Sequence, residues 1–204
     1  MTVRIVLATH NPHKTLEFHS ILNTQLPELE IANYDGPEPV ESGVTFSENA
    51  LIKARAAAEH TGLPALADDS GICVDILGGS PGIFSARWAG AGKDATANRN
   101  LLLAQLADIG NSHRAAYYAC HIALVVPEQV GLSGFEGVAV GEWQGRISSE
   151  ARGEYGFGYD PIFVPEGFDV TAAELPSEEK NALSHRARAF DRLIPLLRMN
   201  VILH

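Results

Sequence analysis

Two adjacent carboxylates, Asp68 and Asp69, end an apolar run and precede Ser70 and Gly71. Carboxylates at a strand end can hold a hard cation, and Mg²⁺ commonly takes only one or two of them, completing its shell with phosphate oxygens and water. Asp69 with Glu41, from a proline-rich stretch, is enough for that role. The same residues also suit an Asx-turn in which both acids are solvated. Neighbours on a strand face opposite ways, so the two acids share one job only if a turn re-aims one of them.

Further residues have chemical potential. Thr9-His10-Asn11-Pro12-His13-Lys14 follows a buried run and enters a helix, a junction whose free N–H groups suit a phosphate, with Lys14 adding charge. It lacks the glycines of a P-loop, and a capped helix with exposed polar residues explains it equally. Lys53 shares a helical face with Phe46, Ala50 and Ala57. An inward ammonium needs an anion, either a structural carboxylate or a bound phosphate. In Gly153-Glu154-Tyr155-Gly156-Phe157-Gly158-Tyr159-Asp160-Pro161 the glycines allow close approach and the aromatics offer a surface for a nucleobase. The alternative is a glycine-rich hairpin corner. Lys180, and His185 and Arg186 just after the helix-capping Ser184, complete the set. Cations are disfavoured in a first helical turn, so His185 and Arg186 imply a nearby anion or base edge, or an ordinary ion pair with a surplus carboxylate.

The elements that must position these groups follow from patterning. Residues 3–8 read as a buried strand, and Asn11-Pro12 opens a helix through about residue 24. Residues 35–43 are loop. Thr45 and Glu48 form a capping box for a helix to about residue 61, stopped by Gly62 and Pro64. A short strand 65–67, a turn at 68–71 and a second strand 71–77 come next, then loop at 78–82. A helix is expected over about 94–107, and β-branched and aromatic residues mark strands over 115–126 and 136–147 as a long antiparallel pair. The last helix begins at Ser184 with Ala187, Phe190, Ile194 and Leu197 as its core stripe. The sum is an α/β chain with a mixed rather than purely parallel sheet.

The 204 residues are 46% apolar and 20% charged, ordinary for one sizeable folded domain over 1–204. A net charge of −10 opposes broad contact with a nucleic-acid polymer or an anionic membrane. Cys73 and Cys120 form no C-x-x-C pair, which fits a reducing cytoplasm, and no run has the length of a signal h-region or a membrane span.

Taken together and in order, these segments resemble the noncanonical purine nucleoside triphosphate pyrophosphatases, the inosine triphosphate pyrophosphatase or Ham1-like family. The resemblance rests on Thr9-x-Asn11-x-x-Lys14, Glu41-x-Gly43-x-Thr45-Phe46-x-Glu48-Asn49-Ala50, Lys53-Ala54 and Ala67-Asp68-Asp69-Ser70-Gly71. It continues through Pro81-Gly82-x-x-Ser85-Ala86-Arg87, Gly156-Phe157-Gly158-Tyr159-Asp160-Pro161 and Ser184-His185-Arg186, so it spans nearly the whole chain.

The resemblance implies an elongated mixed sheet flanked by helices, two lobes with the active-site cleft between them, and a cytoplasmic homodimer. It implies Mg²⁺-dependent hydrolysis of dITP, ITP or XTP to monophosphate and pyrophosphate by water attack at the α-phosphate. Thr9, His10, Asn11, Pro12, His13, Lys14 and Lys53 would then hold phosphates, Glu41 and Asp69 the metal, and Asp69 would activate water with Asp68 in support. Ser70, Phe157, Gly158, Tyr159, Asp160, Lys180, His185 and Arg186 would contact the nucleotide, the last two near the 6-oxo edge. Two departures stand out: His10 replaces a small residue, and Val40 stands where a second acid can precede Glu41. A Maf-like pyrophosphatase is the enzymatic alternative, opposed by Ser184-His185-Arg186. A nucleotide sensor without turnover is the other, and it has no need of Glu41, Lys53 and Asp69 together.

Overall fold

The computed structural model describes residues 3–9, 11–128 and 134–202, and among them six strands form one sheet in the order β2-β1-β3-β4-β5-β6. Ile5, Val6 and Leu7 in β1 (Val3–Leu7) are consecutive buried residues, as expected of a strand covered on both faces. Helix α1 (Pro12–Gln25) carries the chain over to β2 (Leu29–Asn33), which pairs parallel to β1, as such a crossover requires. β1 also pairs parallel with β3 (Ala65–Val74), and β5 (Phe135–Ile147) pairs antiparallel with β6 (Phe163–Pro165), so the sheet is mixed as expected. β4 (Ala115–Val126) lies between β3 and β5.

The chain divides into two compact units. One consists of Met1–Asp69, His121–Val140 and Ala189–His204, the other of Ser70–Cys120 and Gly141–Arg188.

In the first unit, α2 (Phe46–Thr61) starts as its sequence dictates: the Thr45 hydroxyl accepts from the Glu48 N–H. The reciprocal arm of the expected capping box lands one residue earlier, Glu48 Oε2 accepting from the Val44 N–H at 2.6 Å. Gly62 ends the helix at φ 67°, a left-handed conformation that glycine adopts without a Cβ penalty. Ala50, Ala54, Ala57 and Ala58 pack with Val6, Ala65, Ala67 and Ala123, so small side chains let α2 lie close to the strands. Elsewhere in this unit Phe18 meets Phe190 edge-on, ring centroids 4.7 Å apart.

The second unit has a larger-residue core, with Ile72, Leu102, Tyr118, Trp143, Ile147, Tyr159 and Phe163 among its members. Helix α3 (Ala95–Gln105) is capped by Asp94, which accepts from the Thr96 and Ala97 N–H groups. In this unit β6 and the short α4 (Ser177–Leu183) escaped the patterning, as β2 did in the first. Helix α5 (His185–Leu197) starts where expected, with Ser184 Oγ accepting from the Ala187 N–H. Its buried stripe is Ala189, Phe190, Leu193, Ile194 and Leu197, while Ala187 is only half-buried.

The expected turn at residues 68–71 is overturned. β3 runs unbroken from Ala65 to Val74, and residues 75–77 form a 3-10 turn rather than strand. The physical reason lies in the partners: both acids are compensated where they stand, so the strand need not bend to solvate them. Gly71 serves proximity instead, because a Cβ there would meet Ser85 Oγ at 2.4 Å and the Gly82 carbonyl at 2.5 Å.

Candidate active site

The first unit gathers three acids and two lysines. Lys14, in the first turn of α1, reaches Asp68 Oδ2 at 2.7 Å. Asn11 caps that turn, its Oδ1 accepting from the Lys14 N–H at 3.4 Å, while Thr9 Oγ1 accepts from the Asn11 N–H. The loop after β1 is thereby drawn over the helix N-terminus, which favours an anion. His10 lies outside the described residues, and of Pro12 and His13 only the helical backbone is described.

Lys53 points inward from α2, as its position among apolar residues requires, and donates to Glu41 Oε1 at 2.6 Å. Asp69 Oδ1 lies 3.8 Å from the same ammonium. Burial works against the charge on Lys53, yet Asp68, Asp69 and Glu41 together hold its pKa above the ordinary lysine value. The Asp69 carboxyl moves upward too. Burial is the main cause, opposed by Lys53, Asn49 and Lys14 and reinforced by Glu41. A carboxylate made more basic in this way is better matched to taking a proton near neutral pH.

Asn49 is the residue that patterning undervalued. It is fully buried, one turn before Lys53 on α2; its Nδ2 donates to Asp69 Oδ2 at 3.1 Å and its Oδ1 accepts from the Gly43 N–H at 2.9 Å. One amide therefore ties the 35–45 loop, which carries Glu41, to the acid on β3. Its sequence cues are its spacing of four from Lys53 and its place in the Glu48-Asn49-Ala50 motif.

Among the described residues, no three His, Cys, Asp or Glu side chains gather as a preformed metal cage. Glu41 and Asp69 offer oxygen donors alone, and a pair of carboxylates is what Mg²⁺ takes from a protein when phosphates supply the remaining ligands. The donor chemistry fits.

The second unit assembles the other predicted residues. Asp160 is buried; its Oδ2 accepts from Lys180 Nζ at 2.6 Å and from the Phe157 N–H at 2.8 Å, and its Oδ1 accepts from the Tyr118 hydroxyl at 3.1 Å. Gly156, at φ 76°, leaves room for that carboxylate, since a Cβ there would lie 2.3 Å from Asp160 Oδ2. Lys180 Nζ sits 5.0 Å from the centre of the Phe157 ring, a cation–π distance. Phe157 is 41% exposed. Gly158 accepts through its carbonyl from Arg99, a contact no sequence signal indicated.

The Tyr159 side chain belongs to the core, and its hydroxyl donates to the Ser85 carbonyl at 2.8 Å. His185 and Arg186 are both buried in the first turn of α5, and Ser70 is half-buried in β3. His185 stacks on Tyr118, centroids 4.7 Å apart and planes 10° from parallel.

These features define a mixed α/β protein in which two lysines partly offset three acids at a strand carrying adjacent aspartates. The chain belongs to the Ham1 family, whose model matches residues 5–196. It is 64% identical to a protein of Leifsonia xyli named dITP/XTP pyrophosphatase, over 96% of each chain. Among solved structures, the Staphylococcus aureus Ham1 protein superposes with a TM-score of 0.86 at 36% identity, covering 96% of this chain and 98% of that one. A nucleoside-triphosphatase / dITP/XTP pyrophosphatase of Mycobacterium abscessus gives a TM-score of 0.78 at 46% identity, covering 95% of this chain and all of the other.

Proposed function

We propose that the chain hydrolyses noncanonical purine nucleoside triphosphates, dITP, XTP and ITP, to the monophosphate and pyrophosphate. The names of its relatives support the substrate class. The observation that carries the chemistry is the coupled cluster of Glu41, Lys53, Asp69, Asp68 and Lys14. Its formal charge is about −1, from three carboxylates against two ammonium groups, which suits a divalent cation and a polyphosphate arriving together.

Glu41 and Asp69 would hold Mg²⁺, which when bound neutralises phosphate charge and acts as a Lewis acid. Asp69, its basicity raised by burial, accepts the proton of the attacking water. Asp68 holds Lys14 in place from the opposite side. Lys14 and Lys53 stabilise the negative charge building on the departing pyrophosphate, and Thr9, Asn11 and the amino end of α1 bind its oxygens. In the second unit, Phe157 stacks on the purine while His185 and Arg186 donate to its 6-oxo group. A 6-amino purine would leave those donors without acceptors, at about 1–3 kcal/mol each.

The resemblance supports a homodimer that acts on free nucleotides, and Cys73 and Cys120, both buried and outside any disulfide among the described residues, support a cytoplasmic location. The deciding experiment offers ITP, XTP, dITP, GTP and ATP with Mg²⁺ and identifies the products. Monophosphate plus pyrophosphate from the 6-oxo, 2-amino-free or 2-oxo purines, far faster than from ATP, is expected. Release of orthophosphate and a diphosphate would overturn the reading, and chelation of the metal should abolish turnover reversibly.

A further inference from the structure

Tyr118 carries no signal in the sequence that separates it from the other aromatics of β4, and the roles assigned so far do not use it. It is nevertheless the point where two nucleotide-facing groups meet. Its ring lies flat against His185, its hydroxyl donates to Asp160 Oδ1, and its edge packs on Phe163 with centroids 4.8 Å apart. The side chain is buried, and burial first, then Asp160, drives its pKa well above the ordinary tyrosine value, so the hydroxyl stays a donor throughout the neutral range.

We infer that Tyr118 is a positioning residue for purine selection, setting the plane of the His185 ring and the orientation of the Asp160 carboxylate together. The inference rests on the proposed nucleotide reading of the second unit. An imidazole can reach an exocyclic oxygen in line only when its ring plane is fixed, and the near-parallel stack fixes it. Asp160 shares its oxygens among three donors: Oδ1 takes the Tyr118 hydroxyl, Oδ2 takes Lys180 and the Phe157 N–H. Loss of the tyrosine hydroxyl frees one oxygen, the carboxylate can turn about its bond to Cβ, and the Lys180 and Phe157 contacts turn with it. The stacking ring at residue 157 and the 6-oxo donor at residue 185 then lose register with each other. The contacts of Tyr118 with Asp160, His185 and Phe163 all lie in the second unit, so the chemical step assigned to the first unit should stay intact.

The test compares wild type, Tyr118→Phe and Tyr118→Leu with ITP, XTP and ATP, recording kcat and KM separately, with an unfolding midpoint for each protein. Tyr118→Phe keeps the ring and removes only the hydroxyl; it should raise KM for ITP about 10-fold, the scale of a lost hydrogen bond to a charged group, while kcat stays within about twofold. Tyr118→Leu, which also removes the stack, should lower the ITP-over-ATP ratio of kcat/KM further. A wild-type KM in Tyr118→Phe, or a loss confined to kcat, overturns the inference, and because this variant preserves packing it decides the matter even if Tyr118→Leu does not fold. Absence of any preference for ITP over ATP in the wild type would instead overturn the functional reading itself.

Discussion

The side-chain amide of Asn49 donates to Asp69 Oδ2 at 3.1 Å, from a position with no solvent exposure. This contact gives Asp69 a fixed orientation without adding charge, and it leaves Oδ1 turned toward Lys53.

Asn49→Asp should therefore damage activity more than Asn49→Ala. The aspartate adds a like charge against Asp69, raising its pKa further and favouring a protonated carboxyl that cannot accept a proton. A loss of about 100-fold in kcat is expected for Asn49→Asp, with the alkaline shift visible in the pH dependence of kcat. Equal activity of Asn49→Asp and wild type would remove Asp69 orientation from the account.

Lys14→Met takes the nearest ammonium from a carboxylate whose side chain is 1% exposed. Destabilisation of about 3–5 kcal/mol is expected, as for breaking a buried pair from one side. Adding Asp68→Asn should restore a large part of it while leaving turnover low. Denaturant unfolding of both single variants and the double measures the coupling directly, and simple additivity of the two losses would show that the pair does not interact.

Gly71→Ala tests the close approach to Ser85. The added methyl must displace the Gly82 carbonyl or the Ser85 hydroxyl, which itself accepts from the Ile72 N–H at 2.9 Å and donates to Gly82. A cost of about 1–3 kcal/mol is expected, typical of overpacking. A midpoint equal to wild type would place the segment after Ser80 farther away than described.

Alkaline pH should unfold the second unit through its tyrosines. Burial, then Asp160, raises Tyr118 well above its ordinary value; burial, then Cys73, pushes Tyr117 up to about 12; and burial raises Tyr159. In the unfolded chain these groups ionise near about pH 10. Above that pH the unfolded state binds fewer protons than the folded one, so stability is fully present below about pH 10 and declines as pH climbs toward the folded values. Urea midpoints measured from about pH 8 to about pH 11 should fall, with phenolate absorbance beyond that of the exposed Tyr155 appearing together with unfolding. In a Tyr155→Phe background, phenolate absorbance from the second unit while the protein is still folded would contradict the burial.

Helix starts were easier to read from the sequence than short strands. Helix starts at Thr45, Asp94 and Ser184 were legible because a cap is a local event, one side chain meeting an N–H two or three residues away. β2 was missed because it is five residues long with mixed exposure at the end of the sheet order, and β6 because three residues carry no period. The apparent turn at Asp68 shows the limit most clearly: a polar pair followed by Ser-Gly has turn chemistry locally, and only Lys14, Asn49 and Lys53, distant in sequence, let a strand pass through it. Tyr118 was passed over, and Asn49 entered only as part of a motif without a role, for a related reason, since each joins segments that are far apart along the chain. Nothing in the spacing of Tyr159 shows that its ring joins the core of the second unit.

The interleaving of segments bears on how the chain matures. The second unit ends with Arg188, so a nascent chain halted there already holds every segment of it. The first segment of the first unit precedes all of the second unit, yet at that point the first unit still lacks its third segment, including Phe190, against which Phe18 packs. The lysine and acid cluster thus belongs to the part of the protein that is first to be synthesised and last to be closed.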